Sequence, residues 1–358
     1  MLINGERVRQ AREFKGLTQA GLARCAGVSQ AAIAQIEASA FISSDALATA
    51  IAKCTSFPLR FFQQDDPLDI NLGSLQFRAH TCMGKRELAE GHRHAQVMLE
   101  VFLKLRKNAR PIPVKIPHSG ASPVVAAKAT RSVLGLDSKS PVPHLLNILE
   151  WHGVVALVIP DVPSRDAFSF WFDGLPVMAL SANRSGDRSR LSIAHELGHL
   201  VLHNGKSRLE VDDHEADDFA GEFLMPEASM LEEIRTPVTL SSIAALKPRW
   251  RVSIQALIYR AKELDIITQR QYRYLFEQLS SVGWRTKEPV TIEPEKPRAF
   301  RQLAEFVYGN PTDVRKMSDE MLIDNALMRD VITKYAPKAE NIQGGPHSSR
   351  VVTLQRRA

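Results

Sequence analysis

The sequence predicts an α+β chain that is mostly helical: an N-terminal helix-turn-helix bundle, a domain with a small β-sheet and an HExxH helix, and a C-terminal helical region. Three observations predict this. Residues 1–62 carry helical periodicity broken only by short polar turns. Residues 154–180 carry short apolar and aromatic runs, two of them flanking Asp173-Gly174. The string Ala194-His195-Glu196-Leu197-Gly198-His199-Leu200-Val201-Leu202-His203 sets two histidines one helical turn apart on an amphipathic stretch.

A chain of 358 residues is too long for one ordinary domain. The divisions predicted are 1–62, a helix-turn-helix domain; 63–123, a linker and helix; 124–235, the HExxH domain; 236–335, a helical region; and 336–358, a disordered tail. With 44% hydrophobic and 24% charged residues, the composition is that of a soluble globular protein. A net charge of +6 leans weakly towards nucleic acid. Cys25, Cys54 and Cys82 form no CxxC pair, so neither a disulfide framework nor a cysteine metal site is expected. Charges interrupt the N-terminus before any signal-peptide core forms. The longest apolar run, 154–159, is far short of the ~20 residues a membrane span needs. A cytoplasmic location and no membrane partner are the expectation.

Element by element, Val8, Ala11, Phe14 and Leu17 mark a first amphipathic helix. Thr18 then caps Gln19–Ala26, Gly27 turns the chain, and Ser29 caps Gln30–Ala38. Helix, tight turn and helix make the helix-turn-helix pattern, and a further apolar helix covers 44–54. Helical periodicity returns at 86–107, and prolines at 111, 113, 117 and 123 mark a boundary. Residues 124–133 and 142–151 read as helices, and 154–159 as a buried strand. Ala167–Phe172 and 177–180 read as a hairpin around Asp173-Gly174. The histidine helix covers 190–203 and an acidic helix 210–224. Helices at 240–246 and 254–264, the second capped by Ser253, make either a second helix-turn-helix or a helical cap.

On a helix His195 and His199 share a face and can reach one metal ion. Glu196 points about 100° away, which suits a group that handles water rather than ligating the ion. A catalytic zinc takes three protein ligands and keeps one position for water. His203 cannot be the third, because eight helical residues rise about 12 Å. The acidic helix supplies two candidates: Asp213, on the face of the small residues Ala216 and Ala220, and Glu215, on the face of Phe219. Asp217 lies four residues after Asp213, where it can accept a hydrogen bond from a ligand histidine. His214 is a candidate oxyanion donor, and the hairpin strands offer an edge to an extended peptide.

Gly16-Leu17-Thr18-Gln19-Ala20-Gly21-Leu22-Ala23 and Val28-Ser29-Gln30-Ala31-Ala32-Ile33-Ala34-Gln35-Ile36-Glu37 resemble Xre/Cro-type repressor domains. The run Ala194–His203 and the run Glu215-Ala216-Asp217-Asp218-Phe219-Ala220-Gly221-Glu222-Phe223-Leu224-Met225-Pro226 resemble the ImmA/IrrE family of metallopeptidases. That resemblance implies a zincin-like fold and a zinc (Zn2+) endopeptidase that cleaves a repressor or antirepressor, with His195 and His199 as ligands and Glu196 as base. The family's third ligand is usually a glutamate three residues before the alanine of the second motif, and Asp213 stands there in this chain. The alternative is a transcription factor whose metallo-domain senses a ligand or partner without hydrolysis.

The Xre/Cro resemblance also implies that Gln19 and Gln30 face DNA, with Ala31 and Gln35 nearby. The expected partners are therefore a double-stranded DNA operator and a protein substrate such as a repressor. Phosphate contacts are expected from Arg7, Arg9, Arg12, Lys15 or Arg24. One such domain binds modestly, so a homodimer on a palindromic site is expected, with Phe41 and Ile42 at its interface or in a local core.

Overall fold

The computed structural model describes residues 2–38, 41–42, 44–70, 85–160, 166–182, 184–203 and 212–337. Among the described residues 59% are helical, beside a small three-stranded sheet, which makes the fold α+β and mostly helical. Cys82 and, of the expected tail at 336–358, residues 338–358 lie outside the described residues. The described residues group into two compact units, the first drawn from 1–111, 156–165 and 297–358 and the second from 112–155 and 166–296.

The first unit begins with α1 (Gly5–Phe14), α2 (Gln19–Ala26), α3 (Gln30–Ala38) and α4 (Asp45–Thr55). Asn4 caps α1 by accepting from the Glu6 and Arg7 N–H groups, and Thr18 and Ser44 cap α2 and α4. Val8, Ala11, Phe14, Leu22, Ala23, Ile33, Ile36, Ala48 and Ile51 are all buried, so four short helices share one apolar core. The α2–turn–α3 arrangement fits a helix-turn-helix.

The N-terminal helices differ from the expectation in two local features. Residues 1–62 are not wholly helical: β1 (Leu2–Ile3) pairs antiparallel with β2 (Phe41–Ile42). Residues 39, 40 and 43 of the loop around β2 lie outside the described residues. Cys25 and Cys54, expected to be unpaired, form a disulfide with a Cα–Cα distance of 6.0 Å. Their 29-residue separation carries no signal, because only the packing of α4 on α2 brings the two together.

Helix α5 (Lys85–Arg106) lies on α1 with Ala95, Met98, Leu99, Phe102 and Leu105 buried. A charged seam runs beside that core. Arg7 Nη1 meets Glu100 at 2.7 Å, Arg93 Nε meets Glu13 at 2.8 Å, and Arg12 Nε meets Glu37 at 2.6 Å. His94 stacks on Phe14 at 3.7 Å between ring centres. Burial pulls the pKa of His94 down to about 3, so this ring is neutral in the core.

The second unit contains α6 (Pro123–Val133), α7 (Leu145–Trp151), β4 (Ala167–Phe172), β5 (Leu175–Ser181), α8 (Gly186–Leu202) and α9 (Asp213–Leu224). With β3 (Val155–Ile159), the strand order of the sheet is β3-β5-β4. Strands β4 and β5 pair antiparallel from Ala167↔Leu180 to Phe172↔Leu175. Asp173 and Gly174 both have positive φ, 46° and 71°, as a two-residue hairpin turn requires. Helix α7 starts at Leu145 rather than 142, because the carbonyls of Val142 and Pro143 turn to the guanidinium of Arg190.

The remaining helices of the second unit are α10 (Glu227–Glu233), α11 (Leu240–Trp250), α12 (Ile254–Glu263) and α13 (Gln269–Ser281). Ser253 caps α12 by accepting from the Ala256 N–H. In the first unit α14 (Ala299–Tyr308), α15 (Val314–Met321) and α16 (Asn325–Thr333) close the described chain. Among the described residues no helix is long and apolar enough to cross a membrane.

Candidate metal centre and helix-turn-helix face

Helix α8 is buried along most of its length: Ile193, Ala194, Leu197, Leu200, Val201 and Leu202 join the core. Asp187 sits in its first turn, where a negative charge is favourable. Helix α9 approaches closely at Gly198. A Cβ built there would lie 3.2 Å from the Cα of Ala216 and 3.2 Å from the ring of Phe219. Glycine and alanine at this crossing let the first turn of α9 come beside the histidines.

His195 and His199 are both buried, with side chains 7% and 8% exposed, and their Nε2 atoms lie 3.0 Å apart. Asp213 Oδ1 is 3.3 Å from His199 Nε2 and 3.8 Å from His195 Nε2. For a tetrahedral ion with bonds of ~2.0–2.1 Å, ligand atoms stand about 3.3 Å apart. The three separations bracket that value. His195 Nδ1 faces Asp217 and His199 Nδ1 faces His203, which leaves both Nε2 atoms on the side of Asp213, where one cation could meet them. Two imidazoles and a carboxylate thus fit a divalent ion, and Asp213, 42% exposed, gives solvent a way in.

Asp217, one turn after Asp213, meets His195 Nδ1 at 2.6 Å. Glu215 does not join the cluster of His195, His199 and Asp213; its Oε2 lies 2.8 Å from His203 Nε2. His214 is exposed in the first turn of α9. Glu196 is 5% exposed, and its Oε2 accepts from the Ser169 hydroxyl at 2.7 Å. Ser169 and Trp171 lie on one face of β4, and the Trp171 indole donates to the Leu200 carbonyl at 3.2 Å. Strand β4 therefore runs along α8 beside Glu196, and it is the edge of the described sheet.

Residues 150–262 match the family model described as the IrrE N-terminal-like domain, Peptidase_M78. The match covers β3 to α12, including the whole candidate metal centre. This IrrE-like domain is metallopeptidase-like, with a His-His-Asp cluster able to hold a metal ion. No helix-turn-helix family model matches the N-terminal helices. No curated protein matches the chain.

In the first unit, Gln30, Ala31 and Gln35 are exposed on α3. Gln19 is half-buried, and its Nε2 donates to Glu37 Oε2 at 2.9 Å. Two of the arginines expected at phosphate are committed elsewhere. Arg7 and Arg12 have side chains only 6% and 9% exposed, paired with Glu100 and Glu37. Burial explains the correction, since both belong to the seam beside α1 and not to its outer surface. Arg24 is exposed and Lys15 half-buried.

Sequence reasoning missed Ser169, Trp171 and the partner of His203. A small polar residue in an otherwise apolar strand, Ala167-Phe168-Ser169-Phe170, is the one signal that pointed to the first.

Proposed function

We propose that the IrrE-like domain is a zinc-dependent endopeptidase that cleaves a repressor or other regulatory protein. We further propose that the N-terminal helices bind a double-stranded DNA operator as a homodimer. The observation that carries the first reading is the convergence of both Nε2 atoms on Asp213 Oδ1, with Glu196 buried beside them.

In this reading His195, His199 and Asp213 are the ligands, and Asp217 fixes the tautomer of His195. When bound, zinc supplies Lewis-acid chemistry, lowering the pKa of water and polarising a carbonyl. Ser169 holds Oε2 of Glu196, so Oε1 takes the proton from water and later delivers it to the leaving amine. The β4 edge accepts an extended peptide as an added strand, which lays a scissile bond along α8. The hydrolytic reading requires about one zinc per purified chain, stripped by a chelator and restored by added zinc. A chain with no metal and no uptake would falsify it.

A sensor without hydrolysis has one observation in its favour. The acid at the third-ligand position is Asp213, one bond shorter than the glutamate usual in the resembled family.

For the DNA-binding reading, Gln30 and Ala31 meet base edges, with Gln19 and Gln35 beside them, and Arg9, Lys15 and Arg24 supply phosphate contacts. Gln30→Ala should cost about 1–3 kcal/mol on the operator and little on unrelated DNA, as measured by titration at fixed salt. Equal loss on both sequences argues against base readout by this residue.

A further inference from the structure

Both imidazoles of the candidate metal centre are held from behind by an acid of α9, but by different routes. His195 Nδ1 meets Asp217 directly at 2.6 Å. Behind His199 stands a second imidazole. His199 Nδ1 lies 2.8 Å from His203 Nδ1, and His203 Nε2 lies 2.8 Å from Glu215 Oε2. The His203 side chain is only 3% exposed. A buried histidine with both ring nitrogens in hydrogen-bonding contact is not a solvated residue at a helix end.

One proton arrangement is consistent with a cation at Nε2 of His199. That atom must present its lone pair, so Nδ1 carries the proton and donates it to Nδ1 of His203. His203 then carries its own proton on Nε2 and donates it to Glu215, where the chain of donors ends on a carboxylate. His203 lies two turns beyond His195, about 12 Å along the helix, which is too far to share the ion.

Resting on the metal reading above, we propose that His203 and Glu215 are a positioning pair, fixing the tautomer and ring orientation of His199 for the ion. Asp217 performs the same service for His195 without an intermediary. The pair acts through His199 and touches neither ion nor substrate. Partners of this kind are worth about 10- to 100-fold in metal affinity.

The test is zinc affinity of the full chain by chelator competition, for the wild type, His203→Ala, Glu215→Ala and the double variant. Melting of each metal-free protein is followed alongside. Each single variant should bind zinc about 10- to 100-fold more weakly, with little change in metal-free melting. The double variant should bind no more weakly than His203→Ala alone, because Glu215 acts through His203. The bands of the cobalt(II)-loaded variants should also shift, as a reoriented imidazole changes the ligand field. Unchanged zinc affinity in the singles overturns the proposal. So do losses that multiply in the double, which would make Glu215 a ligand in its own right. Should His203→Ala fail to fold, Glu215→Ala carries the test, since that side chain is 39% exposed. A wild-type chain that takes up no zinc overturns the metal centre itself and the pair with it. Wild-type uptake with unaffected variants overturns the pair alone.

Discussion

Glu196→Gln should lower peptide cleavage by about 100- to 10,000-fold, the usual worth of a positioned general base, and leave zinc content unchanged. The carboxylate lies directly after His195 on α8, yet it is not one of the three groups that converge on the candidate ion. Its Oε2 is held by Ser169, so the side chain is oriented rather than adrift in a cavity. Glutamine has the same shape and still offers an oxygen to that hydroxyl, but it cannot take a proton from water. Removing a charge from a group only 5% exposed carries no folding penalty of its own. The loss therefore reports on chemistry. The assay compares wild type and variant on repressor proteins and on an unfolded generic substrate, with metal analysis of the same samples. Cleavage that survives the substitution removes the base from the mechanism. A variant that loses zinc together with activity identifies Glu196 as a ligand. If wild type and variant are equally inert while both hold zinc, the sensor reading stands.

The parts of this picture legible in the sequence are those set by local periodicity. A four-residue spacing puts two histidines on one face of a helix wherever that helix packs. The same rule, counted back from Ala216 and Ala220, brings Asp213 and Asp217 to the side of α9 that meets α8. The hairpin at Asp173-Gly174 is equally local, since the turn needs two positive-φ residues between two apolar runs. Contacts made across long separations left no such trace. Ser169 finds Glu196 only after β4 has packed on α8, and His203 finds Glu215 only because α9 returns beside α8. Arg7 and Arg12 look like surface cations on an amphipathic helix, and the acids that bury them lie 93 and 25 residues away. Cys25 and Cys54 belong to the same class, because their pairing is a property of the bundle and not of their spacing.

Arg190→Met should destabilise the IrrE-like domain by about 3–5 kcal/mol, the cost of leaving one partner of a buried ion pair alone. Arg190 stands on α8 five residues before His195, and its side chain is 1% exposed. Its guanidinium pairs with Glu295, 2% exposed, and donates to the Val142 carbonyl at 2.6 Å and the Pro143 carbonyl at 3.3 Å. Glu295 in turn accepts from the Leu146 N–H at 2.9 Å, at the start of α7. Burial pulls the Arg190 pKa down and the carboxylate of Glu295 opposes it, so each ion depends on the other for the solvation it has lost. Methionine fills a similar volume but supplies no donor. Among the described residues, Glu295 would then keep the Leu146 N–H, with the Arg251 guanidinium at 4.0 Å and the His144 imidazole at 3.9 Å. At ~2–4 °C per kcal/mol for a domain of this size, the melting temperature should fall by roughly 10 °C. The double variant Arg190→Met/Glu295→Leu distinguishes the lost ion pair from the lost bonds to the Val142 and Pro143 carbonyls. Removing both charges abolishes the desolvation cost, so it should recover most of the stability. A double variant as unstable as the single would show that the guanidinium's bonds to Val142 and Pro143, rather than the ion pair, hold α8 against the segment that leads into α7.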